Sequence, residues 1–354
     1  MKTKKRILLA ILNWGLGHAT RCIPLIQELL RQNAEVILAA DGAALDLIQK
    51  EFPTLETIAL PAYNITYRTS NMWWNIGTQF PKIAKAVFQE HQAIEKIVED
   101  KKIDIIISDN RYGCYSKRVK SIFMTHQLHI KLPNALISKQ VERVNRSRIN
   151  RFDECWVPDF EGSPNLSGTL SHGTSFENVK YIGALSRMKY FESNIQQDII
   201  VVLSGPEPQR TKLEEKIIEQ AVQLPQGFLI VRGITTPYSE LQLTSNVKVI
   251  SLLTSNDLNK AILESKIVVN RSGYSSLMDL VKLRKKAILI PTPGQTEQEY
   301  LANHFHQQGI FYTQSQKELN LKEAIEKVNN FSGFGKEQFP ESHLKVVVED
   351  LINS

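Results

Sequence analysis

The chain has 354 residues, more than a single hydrophobic core usually serves, so two domains are expected. Apolar residues make up 42% and charged residues 23%, as in ordinary soluble globular proteins, and no apolar run approaches the ~20 residues that cross a bilayer. The balance of 43 basic against 37 acidic residues is mildly positive, and without a basic stripe or a nucleic-acid-binding motif it argues against DNA or RNA as partners.

Strands and helices alternate from the start of the chain. Residues 7–12 form a continuous apolar run, as expected of a strand buried on both faces of a parallel sheet. Residues 18–32 follow with apolar side chains at helical spacing. Further strands are predicted at 35–40, 55–60, 103–108, 119–125 and 152–158, and helices at 42–52, 80–102 and 134–149. Residues 1–158 are therefore predicted to form one α/β domain.

Residues 159–196 interrupt this rhythm, because they are rich in Gly, Ser, Pro and Asn, and are predicted to be a linker. The alternation restarts in a second domain, residues 197–338. In the last segment, 339–354, an amphipathic helix is expected to return towards the N-terminal domain. The predicted fold class is α/β: two facing, doubly wound, Rossmann-like domains with parallel sheets and a cleft between them.

The first glycine loop, "GLGHAT" (15–20), allows three interpretations. As a dinucleotide fingerprint it lacks the third glycine, whose place Thr20 takes, although Asp41 could mimic the ribose-binding acid. Gly15 and Gly17 could also simply make a tight turn. In the third interpretation His18, at the positive end of a helix dipole, has a lowered pKa and takes a proton from a hydroxyl nucleophile.

The second loop, "VVNRSGYSSLMDL" (268–280), is typical of an anion site. A strand ends, Ser272 and Gly273 make the turn, and the helix that follows directs backbone N–H groups and nearby hydroxyls at one point. Asp279, one turn along, could accept hydrogen bonds from ribose hydroxyls. The plain alternative is a well-capped helix with Ser272 as its cap.

Five motifs in both halves resemble those of the GT-B glycosyltransferases related to MurG and the monogalactosyldiacylglycerol synthases (family 28-like). They are "GLGHATR" (15–21), "YIGALSR" (181–187), "LSGPEPQR" (203–210), the 268–280 block and "PTPGQTEQEYLAN" (291–303). Sugar-nucleotide hydrolases of the PseG type carry a very similar first loop.

The resemblance implies a GT-B fold and a role for each matching residue. His18 would be the catalytic base, Arg187 would contact the donor diphosphate, and Asp279 stands where a glutamate holds the ribose. Leu252 and Leu253 would pack the uracil ring. The predicted donor-site residues are Arg187, Ser204, Gly205, Arg210, Leu252, Leu253, Arg271, Ser272, Gly273, Tyr274, Ser275, Ser276, Asp279, Gln295, Thr296, Gln298 and Glu299.

The loop "LSGPEPQR" departs from the glycine-rich loop of the family. Pro206 and Pro208 have no N–H to offer an anion, so this loop is a poorer phosphate cradle. Ser204 and Arg210 are expected to compensate with side-chain donors.

The acceptor side is predicted in the first domain, in loops that follow strands. Its residues are Gly15, Gly17, Asp109, Arg111, Tyr112, His126, Trp73 and Trp74. The mixture of aromatic and basic residues around the two tryptophans suits a membrane interface or a lipid-linked acceptor. Stacking on sugars or plain burial are the alternatives.

These features predict a glycosyltransferase that moves a sugar from a nucleotide-sugar, a UDP-sugar by preference, to an acceptor hydroxyl. No cofactor or metal is expected, since there is no DxD cluster and no CxxC pair among the three cysteines. Inversion at the anomeric carbon is implied by the resemblance. The expected location is the cytoplasm, with peripheral membrane contact. The alternatives are a sugar-nucleotide hydrolase or epimerase on the same fold, and a non-catalytic nucleotide-sugar-binding protein.

Overall fold

The computed structural model describes residues 4–63, 79–130, 135–173, 176, 178–234, 238–335, 339 and 342–354. The chain divides into two compact units. Unit 1 comprises Met1–Leu185 and Pro340–Ser354, and unit 2 comprises Ser186–Phe339. Trp73 and Trp74 of the predicted acceptor side lie outside the described residues.

Unit 1 is built on a parallel sheet with helices between its strands. The strands are β1 (Arg6–Ile11), β2 (Glu35–Ala40), β3 (Thr57–Ala59), β4 (Ile105–Asp109), β5 (Lys120–Met124), β6 (Glu154–Val157) and β7 (Val179–Tyr181), and the helices are α1 (Leu16–Arg31), α2 (Gly42–Glu51), α3 (Phe80–Lys101) and α4 (Ala135–Ile149). Within the described residues the order is β3-β2-β1-β4-β5-β6-β7, and each neighbouring pair is parallel. The side chains of residues 7–11 in β1 are completely buried, as a strand covered on both faces requires.

The strand order of unit 1 reverses between β1 and β4. From β1 the chain adds β2 and β3 on one side and then β4 to β7 on the other, which opens a crevice at the carboxyl ends of the two central strands. Ile11 and Asp109 are partners in the register, so both strands end at the same level. The loop into α1 and the end of β4 therefore lie side by side.

Unit 2 repeats this plan. Its strands are β8 (Gln197–Val202), β9 (Phe228–Val231), β10 (Glu240–Thr244), β11 (Val247–Ile250), β12 (Ser265–Asn270), β13 (Lys286–Leu289) and β14 (Tyr312–Thr313), and its helices are α5 (Gln209–Ala221), α6 (Ser255–Leu263), α7 (Tyr274–Leu283), α8 (Thr296–Gln307) and α9 (Leu321–Lys327). The last helix of the chain, α10 (Leu344–Asn353), belongs to unit 1 and contacts α1.

The strand order of unit 2 also reverses beside its first strand. In the described part the order is β10-β11-β9-β8-β12-β13-β14, parallel throughout except for the antiparallel pair of β10 and β11. The switch point is between β8 and β12, and Val202 and Asn270 at their ends are register partners. The loops that start at residues 203 and 271 meet there.

The predicted α/β class and the alternation of strands and helices are confirmed, and three elements were missed. β7 lies inside the predicted linker and is only three residues long. β10 is an edge strand that is largely exposed, so its sequence shows no buried face. α9 is a single short helix capped by the side chain of Asn320, which accepts a hydrogen bond from the backbone N–H of Glu323.

Candidate active site

His18 stands in the first turn of α1, at the switch point of unit 1. Gly15, at the N-cap, has φ +76°, a backbone conformation that other residues rarely adopt. This turn brings His18 Nδ1 to 2.9 Å from Oδ2 of Asp109, the last residue of β4. The His18 side chain retains 15% of its exposure, whereas that of Asp109 has none. With Nδ1–H donated to the carboxylate, the neutral ring keeps its lone pair on Nε2.

Asp109 is the centre of a buried polar network. Arg21, one turn after His18, donates from Nε to Oδ2 at 3.1 Å and from Nη2 to Oδ1. The thiol of Cys22 lies 3.6 Å from Oδ2. Burial opposes the negative charge, but the charges and hydrogen bonds of Arg21 and His18 outweigh it and lower the pKa of Asp109 to about 2. The carboxylate is therefore ionised at neutral pH.

The pKa of His18 is lowered, mainly because burial disfavours the imidazolium form. Asp109 acts in the opposite direction, and Arg21 lowers the pKa further. A lowered pKa agrees with the expectation from the sequence. The sequence argument attributed it to the helix dipole, whereas its main cause in the structure is burial. A neutral imidazole is the form that accepts a proton.

The switch point of unit 2 holds a buried cation, Arg271. This side chain is 1% exposed, and it donates from Nη1 to the carbonyls of Ile290 and Pro291, both at 3.2 Å, and from Nη2 to the carbonyl of Gln209 at 2.9 Å. In the described part of the chain its Nε has no hydrogen-bond partner, and no carboxylate pairs with it. Burial lowers the pKa of Arg271 to about 10, so the group is still charged at neutral pH.

Gly205 leaves a gap next to Arg271. Its φ is +103°, and a Cβ placed on it would lie 3.4 Å from Thr292 Oγ1 and 3.9 Å from Arg271 Nε. The Thr292 hydroxyl is also buried and has no partner among the described residues. Helix α7 begins at Tyr274, three residues after Arg271, and its N-cap is Gly273, which has no side chain to cap the helix. Two buried polar groups without a hydrogen-bond partner among the described residues thus lie beside Gly205, and an anion would satisfy them.

Asp279 forms a second polar cluster on α7. Its Oδ1 accepts a hydrogen bond from Ser186 Oγ at 2.6 Å, and Arg187 donates from Nη1 to Ser255 Oγ at 2.8 Å. Burial raises the pKa of Asp279 to about 6, although Ser186 and Arg187 pull it down. Arg187 Nε is buried and has no hydrogen-bond partner among the described residues. The pair therefore offers one carboxylate and one guanidinium edge to a ligand.

Residues 199–351 match the family model of the glycosyltransferase family 28 C-terminal domain. Residues 199–351 therefore form a glycosyltransferase family 28 C-terminal domain, and this match identifies the chain as a glycosyltransferase. An uncharacterized glycosyltransferase of Methanosarcina mazei is 23% identical over 328 residues, which cover 86% of this chain and 84% of the relative. A UDP-N-acetylglucosamine–N-acetylmuramyl-(pentapeptide) pyrophosphoryl-undecaprenol N-acetylglucosamine transferase of Amoebophilus asiaticus is 22% identical over 304 residues, covering 81% and 80%.

Solved structures agree on the fold. The glycotransferase of kitacinnamycin matches with a TM-score of 0.69 and 13% identity over 99% of both chains. MurG of Acinetobacter baumannii matches with a TM-score of 0.62 and 11% identity, also over 99% of both chains. The predicted GT-B fold of this glycosyltransferase is thus confirmed.

Four polar residues of the predicted acceptor side are buried or hydrogen-bonded within unit 1. Asp109 and Arg111 are fully buried, so neither side chain is placed to recognise an acceptor directly. His126, 6% exposed, receives a hydrogen bond from Arg21, and the Tyr112 hydroxyl donates to Asn145 at 2.7 Å. These groups serve the interior of unit 1.

Asp41, the acid that the dinucleotide interpretation of the first loop needs to bind a ribose, is already occupied by other side chains. The carboxylate of Asp41 pairs with Arg111 at 2.6 Å and accepts a hydrogen bond from Asn13 at 3.1 Å. Arg111 also pairs with buried Glu90 at 2.5 Å. Asp41 is therefore part of an ion-pair network that joins the ends of β1, β2 and β4.

Three of the predicted donor residues are ion-paired or buried within unit 2. Arg210 pairs with Glu207 and Glu214, each at 2.5 Å, so its charge is neutralised and does not compensate for the two prolines. Ser272 is fully buried and donates to the carbonyl of Gln298 at 2.7 Å, and it is not the helix cap. Tyr274 is 3% exposed and packs into the core.

The remaining predicted donor residues lie at loop ends of unit 2. Ser204 and Leu252 are exposed, while Leu253, Ser275, Ser276, Gln295 and Thr296 are half-buried. Gln298 accepts from the Thr292 backbone N–H at 2.9 Å, and Glu299 accepts from that of Gly294 at 2.9 Å. Both side chains hold the loop that follows β13.

A cavity of about 410 Å³ lies elsewhere in unit 2, at the amino-terminal edge of the sheet, where Gln197, Asp198 and Lys266 line it. It contains none of the predicted donor residues. Among the described residues no group of three or more His, Cys, Asp or Glu side chains could hold a metal ion. In the same part of the chain no helix has the length and apolar character needed to cross a membrane.

Proposed function

We propose that this glycosyltransferase moves a sugar from a UDP-sugar to an acceptor hydroxyl in one displacement, with His18 as the base. The observation that carries the proposal is the His18–Asp109 pair, a neutral imidazole whose Nδ1 is occupied by a buried carboxylate. The acceptor hydroxyl gives its proton to His18 Nε2 while its oxygen bonds to the anomeric carbon. The bond from that carbon to the phosphate oxygen breaks, and UDP leaves. One displacement inverts the anomeric centre.

The donor is proposed to bind unit 2 through its diphosphate and ribose. Arg271 Nε and Thr292 Oγ1 suit the diphosphate, because each is buried without a hydrogen-bond partner among the described residues. The N-terminus of α7 adds the positive end of a helix dipole. Positive charge there also stabilises the leaving group as its charge develops. Asp279 suits the ribose hydroxyls. The relative from Amoebophilus asiaticus is named for UDP-N-acetylglucosamine, which favours uracil as the base.

The acceptor is proposed to be a lipid or a glycan, with peripheral membrane contact. The aromatic and basic composition around residues 62–87 supports this. An anionic lipid surface would attract the basic residues of that stretch, and the tryptophans of the stretch suit the membrane interface.

A thermal-shift screen with UDP, GDP, CMP, dTDP and NAD tests the donor class. We expect a rise in Tm with UDP that is lost in Asp279→Ala, because a ligand that binds only the folded state stabilises it. A shift with NAD alone would return the dinucleotide interpretation and reject this proposal. UDP release from a UDP-sugar at the same rate with and without an acceptor panel, and no glycosylated product, would indicate a hydrolase.

UDP binding is expected to weaken below pH 6. Since the pKa of Asp279 is raised to about 6, the carboxyl is protonated at lower pH and must lose a proton before it can accept from both ribose hydroxyls. Binding thus favours the ionised form, and affinity rises with pH up to about 6 and levels off above. We expect about a tenfold weaker Kd at pH 5 than at pH 7.5. Calorimetry over this range measures it, and Asp279→Asn should bind weakly with no such step.

A further inference from the structure

Arg21 is the charged residue behind His18 to which the proposed function assigns no part. Its side chain is 2% exposed, and its contacts include both oxygens of Asp109 and Nδ1 of His126, which lies 3.0 Å from Nη1. Since a guanidinium only donates, His126 Nδ1 accepts, and His126 is the neutral tautomer with its proton on Nε2. Asp109 Oδ2 receives Arg21 Nε and His18 Nδ1 together.

We propose that Arg21 is a positioning residue for sugar transfer: by clamping Asp109 it fixes the direction of the His18 ring and limits how strongly the carboxylate holds a proton on that ring. The inference rests on the proposed role of His18 as the base. Because Arg21 is 2% exposed, we assign it no contact with substrate, and its effect on His18 passes through Asp109.

The geometric part of the inference follows from the two-pronged contact. A planar guanidinium that bonds both carboxylate oxygens holds the carboxylate plane in one orientation, which a single hydrogen bond would not do. Asp109 is the register partner of Ile11, so it lies beside the loop that leads from β1 into α1. His18 and Arg21 are one turn apart on α1, so both reach Asp109 from the same face of the helix. His18 Nδ1 is thereby directed at Oδ2, and Nε2 is directed away from it.

The electrostatic part follows from the net charge of the pair. An unpaired buried carboxylate beside an imidazole stabilises the imidazolium strongly. Here Arg21 cancels that negative charge, so protonation of His18 would leave a buried cluster with a net positive charge. Among the described residues, the charged or titratable groups that act on His18 are Arg21 from α1, Asp109 from β4 and His126 from the loop after β5, and Cys22 of α1 contacts Asp109. Cys22 is a neutral thiol, because burial raises its pKa well above the ordinary value.

An NMR titration of the histidine Cε1–H signals in the full chain tests this inference, with the His18 signal assigned by its loss in His18→Ala. Arg21→Gln keeps a hydrogen-bond donor for Asp109 but removes the charge, and its His18 midpoint should rise by about one pH unit or more. Arg21→Lys keeps the charge and should stay within a few tenths of the wild-type midpoint. Arg31→Gln, at the exposed end of the same helix, is the matched control and should change nothing. A folded Arg21→Gln protein with an unchanged midpoint would overturn the inference.

If Arg21→Gln does not fold, the double variant Arg21→Gln/Asp109→Asn decides instead, since it buries no unpaired charge. A midpoint close to wild type supports the inference, because the pair then contributed no net charge. A fall of more than about one pH unit contradicts it, because Asp109 would have dominated despite Arg21.

Activity separates this inference from the proposed function. The acid limb of the kcat profile for UDP release should move with the NMR midpoint in Arg21→Gln. If the NMR midpoint of His18 moves while the acid limb of the kcat profile stays, His18 is not the base, but Arg21 still controls the protonation of its ring. If the NMR midpoint of His18 does not move and activity still depends on His18, the inference about Arg21 is rejected and the role of His18 as the base is retained.

Discussion

Replacement of His18 by alanine is expected to slow sugar transfer by about 10²- to 10⁴-fold, the usual contribution of a positioned base. His18 is the partly exposed end of a network whose other members, Asp109 and Arg21, are buried. The variant leaves a hydroxyl with no acceptor for its proton when its oxygen attacks. UDP binding, which is proposed for unit 2, should remain within twofold of wild type.

UDP release from the UDP-sugar selected in the donor screen, measured in single turnover, gives the rate of the transfer step. His343→Ala is the matched control, because His343 is an exposed histidine of the same unit and should leave the rate unchanged. Unaltered single-turnover release in folded His18→Ala would reject the assignment of the base. His18→Gln should be as slow as His18→Ala, since an amide does not take the proton.

Asp109→Asn extends this argument to the partner of the base. The amide is nearly the same size as the carboxylate, so the buried space stays filled, but Arg21 is left without a countercharge. We expect the tautomer of His18 to lose its definition and the single-turnover rate to fall by about 10²-fold or more. Measurement of unfolding by urea belongs beside it, since an unpaired buried arginine also costs several kcal/mol.

How far the sequence predicts this site depends on what each residue needs. His18 could be found because a glycine turn after a buried strand places it at a helix start, which is a local pattern. Asp109 was also found, as a residue at a strand end. Its hydrogen bond to His18 was not predicted, because that pairing depends on the register of β4 against β1. Arg21 was not singled out. The spacing of His18 and Arg21 on one face of a helix was the available signal.

The donor side shows the same division. Glycine and proline positions in the 203–210 loop could be assessed from sequence, since their effect on the backbone is local. Arg210 was assigned to the donor although Glu207 and Glu214 stand three and four residues away, the spacing at which helical side chains pair. That signal was present in the sequence. The unsatisfied Nε of Arg271 could not be predicted, because its surroundings depend on the carbonyls of residues 209, 290 and 291, which come from two segments distant from Arg271 in the sequence.

Arg271→Gln is expected to weaken UDP binding by about 10- to 100-fold, the loss of one or two charge-assisted hydrogen bonds. Arg271 is a buried cation with no carboxylate partner in the described residues, and its pKa, lowered to about 10, records an unfavourable environment that an anion would relieve. Glutamine keeps donors for the carbonyls of Ile290 and Gln209, so the fold of the loops should be retained. Calorimetry with UDP and with uridine separates phosphate from nucleoside contacts, and uridine affinity should not change.

Arg210→Gln provides the matched control for this prediction. Arg210 is also buried and lies in the first turn of α5, next to the Gln209 carbonyl that Arg271 contacts. Two carboxylates already neutralise it, so its loss should leave UDP affinity within about threefold of wild type. Equal losses in the two variants would mean that UDP affinity responds to disturbance of the loop rather than to the unpaired guanidinium. A loss of uridine affinity in Arg271→Gln would likewise place the effect outside the phosphates. A selective loss of UDP affinity in Arg271→Gln alone assigns the diphosphate to the gap beside Gly205.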